Sequence, residues 1–252
     1  MRSALFALLG LMLLAAPAAA SDGKRAAVQA TEAGRAFARL AAETAAAGKR
    51  IDFTTAPASG YVARIFDANA FAALLPPGAT DMPWMLDWFG AARNASFTIL
   101  YFGADPKQIE SFPPDRIQRN LDQYGDQFAA GSAFLLRMYP RMMSTVQAFM
   151  ATLSDEQRNS PVRQDGLAKM RSGQLEAVLG ALVFAAEGGS KPENIRIMMA
   201  ALRETADSWT GLVVPKDRAQ VRTLLATALS KYSDEETAKS LLAVSALFAS
   251  AG

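Results

Sequence analysis

Between Ile117 and Phe149, nine apolar side chains recur at steps of three, four or seven residues: Ile117, Leu121, Tyr124, Phe128, Leu135, Met138, Met142, Val146 and Phe149. A helix of 3.6 residues per turn gathers such a set on one side, whereas a strand would scatter it over both faces. Asp115, Arg119, Asp122, Asp126, Arg137 and Ser144 fall on the opposite side. One helix of this length must bury its stripe against others, so the pattern commits the chain to helix-on-helix packing. Pro140 interrupts the run. It cannot donate to the carbonyl of Leu136, which predicts a kink there.

Shorter stripes repeat the theme: Leu167, Met170, Val178, Leu182; Ile195, Met198, Leu202, Trp209; Val221, Leu224, Leu225, Leu229; and Leu241, Leu242, Val244, Phe248. Their ends carry helix punctuation. Ser154 to Gln157, Ser190 to Glu193 and Ser233 to Glu236 have capping-box spacing. Ser160-Pro161 reads as a cap and first-turn proline, Gly188-Gly189 as a stop, and Val214-Pro215 as a new start. Connections of two to six residues make neighbouring helices roughly antiparallel. No self-similarity of 34 or 40 residues supports a solenoid.

Upstream the chain is more broken, because seven prolines lie between Pro57 and Pro114 and only four follow. Ala-rich residues 24–47 predict a helix closed by Gly48. Residues 49–66, with "RIDFTT" and "GYVARIF", are expected to be extended connectors. Asp67 is expected to cap a short helix through Leu75, ended by Pro76-Pro77, and Asp81 to cap the segment from Trp84 to Phe102. The expectation is an all-α, single-domain bundle of seven to eight helices. It comprises a cleaved leader at 1–20, N-terminal helices with Pro-rich connectors at 21–112, and a long-helix antiparallel bundle at 113–252 that shares one core with them.

The leader is read from "MRSALFALLGLMLLAAPAAA": one cation at Arg2, an apolar run, then Ala18-Ala19-Ala20. That is the layout of a secretory signal, and the run is too short for a span of about 20 residues. Cleavage would leave Ser21 first and the chain in the periplasm or outside the cell. Losing Arg2 leaves 25 Lys+Arg against 24 Asp+Glu, a balance unlike the basic surface of a nucleic-acid binder.

Two absences restrict the chemistry. The chain has no Cys, so an exported form would hold together without disulfides, and it has no His. Histidine is the commonest general base and transition-metal ligand, so no metal or cofactor is expected. Any enzyme here would have to work with carboxylates, Lys, Tyr or Ser alone.

"WMLDWFGAARNASFTILYF", residues 84–102, holds six of the chain's twenty-two aromatics. On a helix, Asp87, Gly90, Asn94, Thr98 and Tyr101 form one polar strip, and the charges exclude a membrane span. The strip is either the helix's only wet face or a ligand-binding set, with Asp87, Asn94 and Tyr101 orienting a small apolar molecule. "NAS" at 94–96 matches a glycosylation acceptor, but a buried helix would hide it. Asp122 and Asp126 are too few for a calcium site. Arg158, Arg163, Lys169 and Arg171 form a locally basic stretch, and Met138, Met142, Met143 and Met150 are assigned to packing. Glu110-Ser111-Phe112 resembles the Glu-Ser-aromatic motif of soluble lytic transglycosylases over three residues. The family's Gly-Leu-Met-Gln segment is absent and Pro113-Pro114 follow directly.

These features together lead to an exported, non-enzymatic binding or interaction protein of the bacterial cell envelope. The alternative is a carrier of a small apolar or amphiphilic ligand between residues 84–102 and 113–152. A carboxylate hydrolase or lyase is third.

Overall fold

The structure, a computed structural model, describes residues 2–74, 78–105, 107–187 and 190–249, with side chains from Asp22 to Phe248. The expected stops at Pro76-Pro77 and Gly188-Gly189, and the side chains of the leader, lie outside the described residues. Among the described residues 83% are helical and none is in a strand. Seven helices reach thirteen residues or more: α1 (Arg2–Ala46), α4 (Met82–Leu100), α5 (Pro114–Ala151), α7 (Pro161–Glu187), α8 (Pro192–Glu204), α10 (Pro215–Lys231) and α11 (Glu235–Ala249). Shorter helices fill the connections: α2 (Ala58–Ile65), α3 (Ala68–Ala72), α6 (Asp155–Arg158) and α9 (Ala206–Trp209).

Helix α1 buries Ala27, Ala30, Ala33, Phe37 and Ala41 on one face. The small residues let it approach α4 closely. A methyl added at Gly34 would lie 3.1 Å from Cβ of Ala91. Gly48 ends the helix with φ +65°, as the sequence predicts. Its N–H donates to the Ala45 carbonyl and that of Lys49 to Thr44, both at 2.9 Å, which is the paired closure of a Schellman turn.

Residues 58–65 differ from the expectation. They form α2 rather than an extended connector. Ile65 is fully buried and its carbonyl accepts the indole N–H of Trp88 at 2.8 Å, so tertiary contacts override the strand-like composition. Asp67 caps α3 through the Ala70 N–H as expected. Asp81 does not cap α4 with its side chain. A 3-10 turn at Ala79–Asp81 precedes that helix, and the carboxylate instead accepts from Gly78 N–H and Trp84 Nε1.

The organising element is α5, 38 residues long. Tyr124, Phe134, Met138 and Met142 face a cluster built from α1 to α4. Ala129, Ala133 and Leu136 face a second cluster built from α7 to α11. Phe128 packs against both. The helix therefore buries two faces, one with large side chains and one with mostly small ones.

Its backbone break falls at Tyr124 (φ −117°, ψ 16°) rather than at Pro140, whose dihedrals stay helical. A proline's fixed φ is compatible with a helix. Tyr124 is anchored: its hydroxyl accepts Ile51 N–H at 3.1 Å, and Phe53 and Phe102 pack edge-on against its ring. Burial pushes its phenol pKa up.

The caps divide similarly. Ser154 and Gln157 close the predicted box on α6, and Pro161 and Pro215 open α7 and α10. The other two boxes are displaced. Lys191, not Ser190, precedes α8, and Glu193 pairs with Arg196. Asp234, not Ser233, accepts the Thr237 N–H at the start of α11.

Candidate functional site

The polar strip of α4 lies on its solvent side. Asp87 and Asn94 are exposed, Thr98 is half-buried, and its hydroxyl donates to the Asn94 carbonyl at 2.8 Å. Tyr101, also half-buried, closes the helix with its ring stacked on Phe97 at 5.4 Å and edge-on to Phe112 at 6.0 Å. Arg93 lies over the Phe97 ring. The three candidate ligand residues therefore share the surface of one helix. The opposite side of α4 meets α5 through Met85, Trp88 and Ile99, all essentially inaccessible, with Trp88 and Phe134 ring centroids 5.8 Å apart. Ser96 of the "NAS" triplet is buried.

The remaining sequence candidates find local partners. Glu110 is exposed in a 3-10 turn at Ile109–Ser111. Asp126 receives Lys191 Nζ at 2.7 Å and Asn194 Nδ2 at 3.0 Å, which hold its carboxyl below the usual range. Asp122 accepts from Gln118. In the basic stretch, Arg158 donates to the carbonyls of Met150 and Leu153 and Lys169 pairs with Asp165. Met138, Met142 and Met150 are buried. No Asp or Glu is buried among the described residues, and no group of three His, Cys, Asp or Glu that could hold a metal occurs among them.

A second group of residues escaped sequence reasoning. Lys49 and Arg50 follow the Schellman turn of α1, while Arg116 and Arg119 occupy the first two turns of α5. They line one open cleft of about 320 Å³, together with Phe102, Gly103, Asn120 and Gln123. Gly103 has φ +82° and so turns the chain away after α4. Asn120 Nδ2 donates to the carbonyls of Leu100 and Phe102, satisfying the end of α4 and fixing that wall. Arg50 donates to Gln123 Oε1, and Arg119 pairs with Asp115 at 2.8 Å. No carboxylate among the described residues lines the cleft. More than sixty residues separate the two pairs of cations, so no local window of sequence shows the patch.

The fold and this cleft define an all-α protein with an open, cation-lined surface site. No protein-family model, no curated protein and no solved structure matches the chain.

Proposed function

We propose that the chain is an exported binding or interaction protein of the bacterial cell envelope, matured by loss of residues 1–20, which acts by docking rather than by chemistry of its own. The observation that carries this reading is the distribution of charge. The carboxylates are at the surface, and those perturbed (Asp52, Asp126 and Asp234) are all lowered by hydrogen bonds. A carboxylate general acid needs the opposite, a proton retained by desolvation. Four of the cations, by contrast, line one cleft.

The carrier reading has less support. The space where an apolar ligand would lie, between α4 and α5, is occupied by Trp88, Phe134 and Met138. No described helix is long and apolar enough to cross a membrane.

Recovery of the protein from its own compartment, followed by native mass spectrometry and cross-linking, tests the proposal. A chain beginning at Ser21 with a reproducible bound species or cross-linked partner supports it. An unprocessed chain, or a processed one with neither, overturns it.

A further inference from the structure

The cation cleft sits in a field that does not explain it. Lys49 and Arg50 follow the C-terminal end of α1, where positive charge complements the helix dipole. Arg116 and Arg119 are placed at the N-terminal end of α5, where the same dipole disfavours cations. Arg119 is compensated by Asp115 one turn earlier. Arg116 is not: its guanidinium lies 6.0 Å from the Phe112 ring centroid, with no carboxylate among the described residues paired to it. Lys49 likewise has no ion-pair partner among the described residues. A chain with nearly equal numbers of acids and bases thus concentrates four cations around one concavity with no acid in its lining, two of them uncommitted. Self-repulsion of that kind is relieved by an anion.

The geometry points to a phosphoryl group as that anion, and we propose that this cleft binds phosphoryl-bearing ligands. The assignment rests on the reading of the chain as a binding protein and names its ligand class. Three guanidiniums, of Arg50, Arg116 and Arg119, and the Lys49 ammonium line the cleft, and the Arg116 fork with the Lys49 ammonium offers the planar and point donors that suit a multi-oxygen oxyanion. The Phe102 wall gives an attached sugar or glycerol carbon a surface to lie on. At about 320 Å³ and open to solvent, the cleft has room for a phosphoryl with a small substituent. The ligand is either a small soluble phosphate or the headgroup of an anionic lipid.

Two probes separate these sources. Inorganic pyrophosphate is titrated and followed by calorimetry, and co-sedimentation is measured with vesicles of phosphatidylglycerol against phosphatidylcholine, both at low ionic strength. Each is run on wild type, on Lys49→Gln/Arg116→Gln, and on Lys169→Gln/Lys239→Gln. The last removes the same charge from positions outside the cleft. Binding of at least one probe that falls about tenfold or more in the cleft variant and is unchanged in the control supports the proposal. Pyrophosphate binding identifies a soluble ligand; vesicle binding alone identifies a headgroup. Absence of binding to either probe overturns it, as does equal weakening in both variants, which would reduce the effect to net charge. If the wild-type chain still cross-links a partner in the envelope while neither probe binds, the cleft assignment fails alone. If processing and cross-linking also fail, the binding-protein reading falls with it.

Discussion

The two faces of α5 meet two differently built interiors. On the N-terminal side, two groups of rings, Phe37–Phe53–Tyr124–Phe102 and Phe66, Phe71, Trp88 and Phe134, make contacts at 5.3–5.9 Å. On the C-terminal side the filling is mainly aliphatic, with Leu182, Ile195, Met198, Leu202, Val221, Leu225 and Leu241 all at or below 1% exposure. The difference follows from the backbone. Proline-broken helices of five and eight residues leave irregular gaps, and large flat rings fill these with few side chains. Long, regular helices present evenly spaced ridges that branched aliphatic side chains interlock. Irregular backbone and aromatic packing are thus two aspects of one solution.

Removing one tryptophan from each interior should expose the difference most strongly. Trp88 and Trp209 are both fully buried, and each indole N–H donates to a backbone carbonyl, at 2.8 Å to Ile65 and 3.0 Å to Leu202. Truncation to Ala should cost about 3–5 kcal/mol at either site in urea unfolding. Trp88 ties residues far apart in sequence and contacts two rings, Phe71 and Phe134, whereas Trp209 bonds within seven residues and has Phe248 as its ring contact. The loss at Trp88 should therefore exceed that at Trp209 by roughly 0.5–1.5 kcal/mol. Equal losses would mean that the aromatic network adds nothing beyond buried area.

Glycine substitutions probe the same contrast at smaller scale. A methyl at Gly131 would lie 2.7 Å from both Phe66 Cζ and Ser96 Oγ, where α5 crosses α4. Gly131→Ala should destabilise by about 1–3 kcal/mol through overpacking, read as a lowered urea midpoint. Gly180, on the exposed side of α7, would meet nothing within 4 Å. Gly180→Ala should stabilise by about 0.5–1 kcal/mol, because alanine is the better helix former and no contact opposes it. A stabilising Gly131→Ala would show that the N-terminal interior yields as easily as open helix surface.

How much of this was legible in sequence differs between the halves for the same physical reason. Evenly spaced aliphatic stripes announce helices directly, so α7, α8, α10 and α11 could be read from Val178, Ile195, Val221 and Leu241 onward. Residues 58–65 could not, because the helix there is stabilised by contacts to Trp88 and the α1 face rather than by its own pattern. The second buried face of α5 was hidden for another reason. Ala129 and Ala133 carry little hydropathy signal, yet they are what lets α8 come close. Asp87, Asn94 and Tyr101 fall on one strip of a helical wheel, but a wheel gives only relative angle and does not say which side faces water. The cation cleft depends on Lys49 and Arg116 meeting in space. Its one local sign was an uncompensated Arg in the first turn of α5.

The last test concerns how each face of α5 responds to pH. On the C-terminal side, Asp126 links α5 to Lys191 and Asn194 of the α8 entry, and those hydrogen bonds lower its pKa. A carboxyl whose folded pKa lies below its unfolded value contributes stability above about pH 4 and loses it as pH falls through the folded pKa. On the N-terminal side, the corresponding polar tie is Tyr124 to Ile51, and burial raises that phenol. Its contribution is complete below about pH 10 and is lost only as pH rises further. Acid should therefore loosen the α5–α8 face first. Because the Asp126 side chain is about half exposed, its ion pair is worth less than about 1 kcal/mol, the smallest effect considered. Asp126→Asn should lower the urea midpoint slightly at pH 7 and converge on wild type as the pH falls through the folded pKa of Asp126, while Tyr124→Phe should lower it equally across that range. A deficit in Asp126→Asn that stays constant as acid is added until the wild type itself unfolds would place the contribution in shape rather than charge, and the two faces would no longer differ in how they sense acid.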